Sequence, residues 1–354
     1  MKPNTNINQF NPAKILSHRV ILNKLAKGKK IYPVTCELDP SNLCNHNCIW
    51  CMYANFKKEK PKLMPRKIMF NLIRELGQMH VKSIIFTGGG EPLMNPATLG
   101  AIRYAKELKM EVGLVTNGGL MTEGCCREII KNCTFVRISL DATDRRSHAS
   151  LHRPKDLSQD NFDKIIENLK YLVRLRKDKK SPTIGIAFLV HPLNYSQIYQ
   201  ATKLAKDVGV DYIQIRPVYI PGKKILERMM PKIEGLVLKS LKLSDKNFSV
   251  IPMLHRFDEM SAFERNYSSC VAHNLIAAVG ADCLVYLCCQ LKGDPRFSFG
   301  SLKEKSFSQI WNSQKREKII NRINLHKCPP CRLNKYNELI HFLGQKEALH
   351  KNFL

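Results

Sequence analysis

The sequence predicts an α/β fold built on an open parallel sheet. Strand-like and helix-like segments alternate from residue 34 to residue 217, and such alternation implies parallel strands joined by right-handed crossovers. The alternation yields six strand–helix units, too few to close an eight-stranded barrel. Cysteine-rich and glycine-rich loops directly follow two of the predicted strands.

The first strand is expected at 34–38, and further strands at 82–87, 111–116, 134–140, 183–190 and 211–217. Between them, Pro65 to Met79 puts Ile68, Leu72, Leu76 and Met79 on one helical face. Pro96 to Leu108 reads as a second helix. Ser158 to Val173 gathers Phe162, Ile165, Ile166, Leu169 and Val173, and Asn194 to Val208 ends at Gly209, a favourable C-terminal cap. Residues 218–269 read as a poorly patterned connection rich in Lys, Met and Pro, and 284–288 as a hairpin strand. The expected division is an N-terminal extension over 1–33, a core over 34–217, a connection over 218–269 and a cysteine-rich unit over 270–354.

A chain of 354 residues with 44% hydrophobic content can bury a large core or two unequal domains. No run of 18 apolar residues occurs, and the polar, Asn-rich start lacks the apolar stretch of a signal peptide. A cytoplasmic setting is therefore expected, in which 13 cysteines argue for metal or catalysis rather than disulfides. The net charge is +27, and lysine-rich clusters occur at Lys27–Lys30, Lys57–Lys62 and Arg174–Lys180. Such blocks are ordinarily solvated faces; the other reading is a field that steers an anionic partner. The basic residues are not interleaved with aromatics, which does not favour nucleic acid.

Cys44, Cys48 and Cys51 stand at C-x3-C-x2-C spacing just after the first strand. Three thiolates this close suit three irons of a [4Fe-4S] cluster; with His46 they would also suit a tetrahedral zinc. Gly88, Gly89, Gly90 and Glu91 follow the second strand. Glycines let a ligand approach the backbone closely, and a surface-turn carboxylate beside them suits an ammonium group. An ordinary glycine-rich turn is the plainer reading. Strand alternation puts Glu37 and Asp39 opposite Cys36 and Leu38. It likewise puts Arg137, Ser139 and Asp141 opposite Val136, Ile138 and Leu140, and Gln214 and Arg216 opposite Ile213 and Ile215. Polar side chains are costly in a dry core, so this face lines a cavity for a polar ligand or carries a buried Arg–Asp network. Paired guanidinium groups there suit phosphate or carboxylate.

In this order the motifs resemble those of the radical S-adenosylmethionine (SAM) enzymes. The resemblance covers roughly residues 33–217 and implies a partial (β/α)6 barrel resembling a TIM barrel. It implies that Cys44, Cys48 and Cys51 bind a [4Fe-4S] cluster and that Trp50 fills the aromatic slot of the loop. Gly88, Gly89, Gly90 and Glu91 would hold the SAM amino group, and Asn117, Ser139 and Asp141 would lie at its ribose. Further along, Cys270, Cys288, Cys328 and Cys331 resemble the ligands of a SPASM/twitch extension with one auxiliary [4Fe-4S] cluster. Cys283 occupies a slot that is usually glycine, and the Cys288-Cys289 pair leaves the hairpin ligand open, as it leaves open a four-thiolate zinc. Cys125, Cys126 and Cys133 read as packing residues, and Cys289 or Cys283 as a hydrogen-atom donor.

The resemblance implies reductive cleavage of SAM, with an electron from a flavodoxin- or ferredoxin-type donor, and hydrogen abstraction by the resulting 5′-deoxyadenosyl radical. Among substrates the polar interior favours a small molecule, namely a sugar, aminocyclitol or nucleotide-linked sugar, oxidised or epimerised with Arg137, Asp141, Arg216 and Cys289 at the reacting centre. The arginines and the net charge of +27 favour an anionic one. A peptide-modifying maturase is the second reading, weakened by only about 33 residues before the first strand. An RNA-modifying or RNA-binding protein is the third, and strong salt dependence of binding would mark it.

Overall fold

In the computed structural model, the described residues are 9–54, 56, 62–156, 161–177, 181–219, 226–261 and 265–344. Most of the lysine cluster at 57–61, the end of the cluster at 178–180, the expected helix start at 158 and the last residues 345–354 lie outside them.

Strands β1 (Thr35–Leu38), β2 (Ser83–Phe86), β3 (Glu111–Thr116), β4 (Phe135–Ser139), β5 (Thr183–Val190) and β6 (Tyr212–Pro217) form one parallel row. Four further strands extend it. β7 (Ser249–Pro252) pairs parallel with β6, and β8 (Ile276–Val279) pairs parallel with β1. β9 (Leu284–Tyr286) and β10 (Ser298–Ser301) add antiparallel to the β8 edge. The sheet of ten strands runs β10-β9-β8-β1-β2-β3-β4-β5-β6-β7 and stays open.

The segment expected to be a poorly patterned connection is thus corrected. It contains the helix Met230–Leu241, strand β7 and the helix Leu254–Ser261. Of that first helix Ile233 and Val237 are buried in the core, and Met230 and Leu236 pack partly against it. Periodicity over so few positions is weak.

Helices cover the outer face of the sheet. Met69, Leu72, Ile73 and Leu76 of the helix Arg66–Gln78 are buried, and Cys125, Cys126 and Ile129 do the same for Glu123–Asn132. Against them pack the alternate aliphatic residues of the strands, including Ile84, Val136, Ile138, Ile213 and Ile215. A smaller core joins both ends of the chain: Ile15, Leu22 and Leu25 meet Leu275, Leu333 and Ile340.

The opposite, interior face is closed at the strand starts by aromatic rings. A Cβ at Gly113 would lie 2.3 Å from the Phe135 ring, and one at Gly185 would lie 2.1 Å from the Tyr212 ring. Glycine is required at both places because the rings lie flat on the neighbouring backbone. Phe10 seats edge-on against Tyr212 at 5.5 Å, with the Arg137 guanidinium 5.8 Å over its ring. The interior therefore opens toward the strand ends that carry the cysteine and glycine loops.

Candidate functional site

The cysteine loop leaves β1 at Asp39 and is held from several sides. Tertiary amide bonds anchor it to the end of the helix Arg145–His152. Asn47 N–H donates to His152 O and Arg153 O at 3.1 and 2.9 Å, and Ile49 N–H donates to Leu151 O at 3.0 Å. Trp50 is buried, stacks on His191 at 4.9 Å and donates its indole N–H to Asp141 Oδ2 at 3.2 Å.

The three thiols are half-buried, and nitrogen groups lie against the sulfurs of two of them, Cys44 and Cys48. His46 N–H lies 3.4 Å from Cys44 Sγ, Asn117 Nδ2 3.9 Å from the same atom, and His152 Nδ1 3.4 Å from Cys48 Sγ. Donors around a sulfur stabilise thiolate, the form that ligates metal, so the loop fits an iron–sulfur cluster with three cysteine ligands. The zinc alternative with His46 does not fit. His46 is buried against His148 and His152, and among the described residues it converges with those two imidazoles rather than with the three cysteines.

The glycine loop packs directly on the cysteine loop. Gly90 N–H donates to Ser41 O and Glu91 N–H to Leu43 O. A Cβ at Gly90 would stand 2.0 Å from Leu43 O and 2.5 Å from Asn42 C, so only glycine fits there. Glu91 corrects the expectation of a surface carboxylate: it is 2% exposed. Its Oε1 accepts from Thr116 Oγ1 at 2.7 Å and Leu93 N–H at 3.1 Å, and its Oε2 from Asn117 N–H at 2.8 Å. Burial raises its pKa against the pull of these donors. Glu91 ties the loops after β2 and β3 together. Asn117 continues the chain of contacts, donating to Asn45 Oδ1 at 2.7 Å and accepting Gly119 N–H at 2.9 Å.

Asp141 is a hub rather than a free carboxylate. Besides Trp50, its Oδ1 accepts Leu189 N–H at 2.7 Å, and its carbonyl accepts Asn194 Nδ2 at 2.9 Å. Burial pushes its pKa up to about 7. Ser139 is half-buried between Arg137 and Asp141 on the interior face.

The carboxyl-terminal segment reaches into this interior. Lys292 pairs with the wholly buried Asp39, which also accepts Gly89 N–H at 2.8 Å, and Arg332 pairs with buried Glu37. Burial opposes the Lys292 charge, but Asp39, Tyr53 and Glu37 together outweigh it and raise its pKa; Arg332, Lys292 and Arg137 together likewise outweigh burial and lower that of Glu37. Tyr53 donates to Cys289 O at 2.9 Å and lies under Lys292. With these carboxylates neutralised, Arg137 and Arg216 remain. Arg137 Nη1 donates to Gln214 Oε1 at 3.4 Å, and neither arginine forms an ion pair among the described residues. Burial first, and Arg137 beside it, lower the pKa of Arg216.

A second pocket is lined by Cys270, Cys288, Cys328 and Cys331, together with Arg265, Tyr267 and Asn337. The four expected ligands are thus brought to one place, and Cys289 is not among the lining residues. Burial raises the pKa of all four thiols. Four such thiolates are compatible only with a cationic core between them, which an iron–sulfur cluster supplies. Residues that the motifs did not reveal build this pocket. Arg265 donates to Leu325 O, Cys328 O and Pro329 O at 2.6 to 3.0 Å. Asn337 accepts from Val271 and Ala272 N–H and donates toward Cys270 Sγ at 3.8 Å. The helical spacing of Leu333, Asn337 and Ile340 was the available signal.

Cys283 is corrected as a hydrogen donor: it is buried in the main core beside Val279 and Val285. Its φ of 69° lies in the left-handed region, which explains the glycine usual in that slot.

A parallel barrel whose loops gather thiols at its open end, beside a pocket of four more, defines a cluster-dependent barrel enzyme. Residues 38–205 match the family model described as the radical SAM superfamily, and 270–333 match that described as an iron-sulfur cluster-binding domain, SPASM. The chain thus carries a radical SAM domain and a carboxyl-terminal SPASM domain, and the cofactors these domains imply are SAM, the [4Fe-4S] cluster of the core and auxiliary iron–sulfur clusters.

The chain is 21% identical, over 78% of its own length and 80% of the relative, to the tungsten-containing aldehyde ferredoxin oxidoreductase cofactor-modifying protein of Pyrococcus furiosus. It is 23% identical to the dTDP-4-amino-4,6-dideoxy-D-glucose ammonia-lyase of Streptomyces venezuelae, covering 58% of this chain but only 44% of that enzyme. Streptococcus suis SuiB bound to precursor peptide SuiA shares the fold at a TM-score of 0.66 and 18% identity, covering 98% of this chain and 81% of that one. Among the described residues no helix is long and apolar enough to cross a membrane.

Proposed function

We propose that this chain is an oxidoreductase-type radical SAM enzyme that removes a hydrogen atom from a polar, anionic small molecule, such as a phosphorylated or nucleotide-linked sugar, held on the interior face of β1, β4 and β6. The observation that carries this reading is the pair Arg137 and Arg216. Both are on the interior face, both have a buried Nε without a hydrogen-bond partner, and among the described residues neither has a carboxylate at ion-pair distance, Asp141 and Glu37 acting on them only from further off. Two guanidinium groups without a direct ion pair in a shielded site favour an anion with several oxygens.

Cys44, Cys48 and Cys51 would hold the cluster that meets SAM, and Cys270, Cys288, Cys328 and Cys331 the auxiliary cluster. Bound there, the cluster and SAM supply one-electron cleavage chemistry that makes an oxidant for an unactivated C–H bond. The chain's own residues do the remainder. The Gly88–Gly90 turn and Asn117 shape the SAM side of the cavity, and Trp50 and Asp141 fix the cysteine loop. Gln214 orients Arg137 toward substrate. The aromatic floor of Phe10 and Tyr212 excludes water from below. Cys289 has Arg332 and Glu37 as electrostatic neighbours and lies outside the auxiliary pocket, which supports it as the thiol that faces substrate.

The test is product analysis of the anaerobically reconstituted protein with SAM, reductant and four substrate classes: nucleotide-linked sugars, phosphorylated sugars, neutral aminocyclitols and peptides. Formation of 5′-deoxyadenosine coupled to loss of an anionic sugar is expected. Arg216→Leu should weaken its capture at every salt concentration, while slow uncoupled SAM cleavage persists. Coupling to a peptide, or to a neutral or cationic molecule, would overturn the substrate assignment and leave the family assignment standing.

A further inference from the structure

Three imidazoles, His46, His148 and His152, are buried beneath the cysteine loop, with one nitrogen of each within 4.8 Å of the others. His46 belongs to the loop itself, and His148 and His152 sit one turn apart on the helix Arg145–His152. The ring of His148 stacks on that of His152 with centroids 4.8 Å apart. The spacing alone would suit a divalent metal ion, but both nitrogens of His152 already have work. Nε2 accepts the backbone N–H of Asp141 at 2.9 Å, and Nδ1 lies 3.4 Å from Cys48 Sγ.

A backbone amide can only donate, so Nε2 must present its lone pair. The ring is then the neutral tautomer with its proton on Nδ1, and that proton is directed at the Cys48 sulfur. The ring is locked there. Asp144 and Ser147 form a capping box at the start of the helix, and the carbonyls of Leu151, His152 and Arg153 at its end accept amides of the cysteine loop. His152 is 2% exposed, so water does not compete for the contact.

We propose that His152 is a positioning residue that donates Nδ1–H to the Cys48 thiolate and raises the reduction potential of the cluster held by Cys44, Cys48 and Cys51. The Asp141 amide selects the tautomer that makes this donation. The inference rests on the assignment of Cys48 as a ligand. An electron entering an iron–sulfur cluster spreads negative charge over its sulfur ligands. A donor aimed at one of them stabilises the reduced form more than the oxidised form. In a buried site that stabilisation is not exchanged for solvation. Asp141 thereby controls the loop from both sides, through Trp50 with its carboxylate and through His152 with its amide.

The experiment is a dye-mediated EPR titration of the reconstituted full chain, with the first cluster's signal identified by its change on adding SAM. His152→Leu should load iron fully and titrate at a more negative potential than the wild type. His152→Gln, whose amide can still donate, should recover part of the shift. His148→Leu should leave the potential unchanged. Equal potentials for wild type and His152→Leu would overturn the inference. Pulsed ENDOR on the reduced wild-type protein, with isotopically labelled histidine, reads the contact without any substitution. One exchangeable imidazole proton coupled to the cluster is expected, and its absence overturns the inference whether or not the variants fold. Failure of iron to bind when Cys48 is intact would instead refute the ligand assignment. Zinc retained through all three histidines would also overturn the inference, in favour of a metal centre.

Discussion

Replacing Glu91 by Ala removes three hydrogen bonds from a buried carboxylate and leaves Thr116 Oγ1, Asn117 N–H and Leu93 N–H without their acceptor. Bonds to a charged acceptor contribute about 1.5–3 kcal/mol each. The desolvation that the carboxylate no longer suffers offsets much of that sum. Three buried donors left unsatisfied at about 1–3 kcal/mol each, less the desolvation recovered, cost about 3–5 kcal/mol net, a large share of the roughly 5–15 kcal/mol that holds a typical domain together. For a chain of 354 residues the midpoint should fall by about 4–7 °C. Thermal unfolding of the anaerobically reconstituted protein, followed by circular dichroism alongside SAM binding, measures it. Glu91→Gln, which keeps an acceptor but turns a donor toward either Asn117 N–H or Thr116, should fall between the two. A variant that unfolds at the wild-type temperature and loses only SAM affinity would refute the reasoning, because Glu91 would then be free for the ligand.

Gly90→Ala should prevent assembly of the first cluster while sparing the auxiliary one, since its Cβ would overlap the Leu43 carbonyl; iron analysis should read a loss of about four iron per chain. Gly89→Ala, whose Cβ meets only side-chain carbons from 3.3 Å outward, should retain that iron. Lys292→Met leaves the Asp39 charge buried without its cation and should cost about 3–5 kcal/mol. The double variant with Asp39→Asn should regain much of this in denaturant unfolding. Cys283→Gly should be tolerated, because relief of a strain of about 1–2 kcal/mol compensates for the lost side chain. Cys283→Val at the same left-handed position should lower the unfolding midpoint clearly.

The parallel core was legible because its strands are short apolar runs and its helices have regular apolar spacing. β3 and β5 were bounded to the residue, at Glu111–Thr116 and Thr183–Val190. The two strands that lengthen the parallel row were not. β7 has only four residues after a lysine-rich segment, and β8 joins β1 from more than 200 residues away along the chain. Its Ile-Ala-Ala-Val run has no partner that local pattern can name. Among site residues, spacing brought out the thiols. Lys292, Arg265, Asn337 and His152 carried no motif, since each works through contacts with elements distant in sequence.

Sequence alone determined which chemistry this chain can carry. Ligand spacing is a property of a loop only a few residues long, and the alternation of side chains follows from the strand period of two. Only the tertiary structure decided what each polar group is for. It turned Glu91 from a surface carboxylate into a buried tie between loops. It engaged Asp141 with Trp50 and Leu189 N–H, and neutralised Asp39 and Glu37 with Lys292 and Arg332. Arg137 and Arg216 were left without a direct ion pair among the described residues. The reason is physical: a buried charge must find its partner wherever the fold brings one near, and those partners lie up to 295 residues away in sequence.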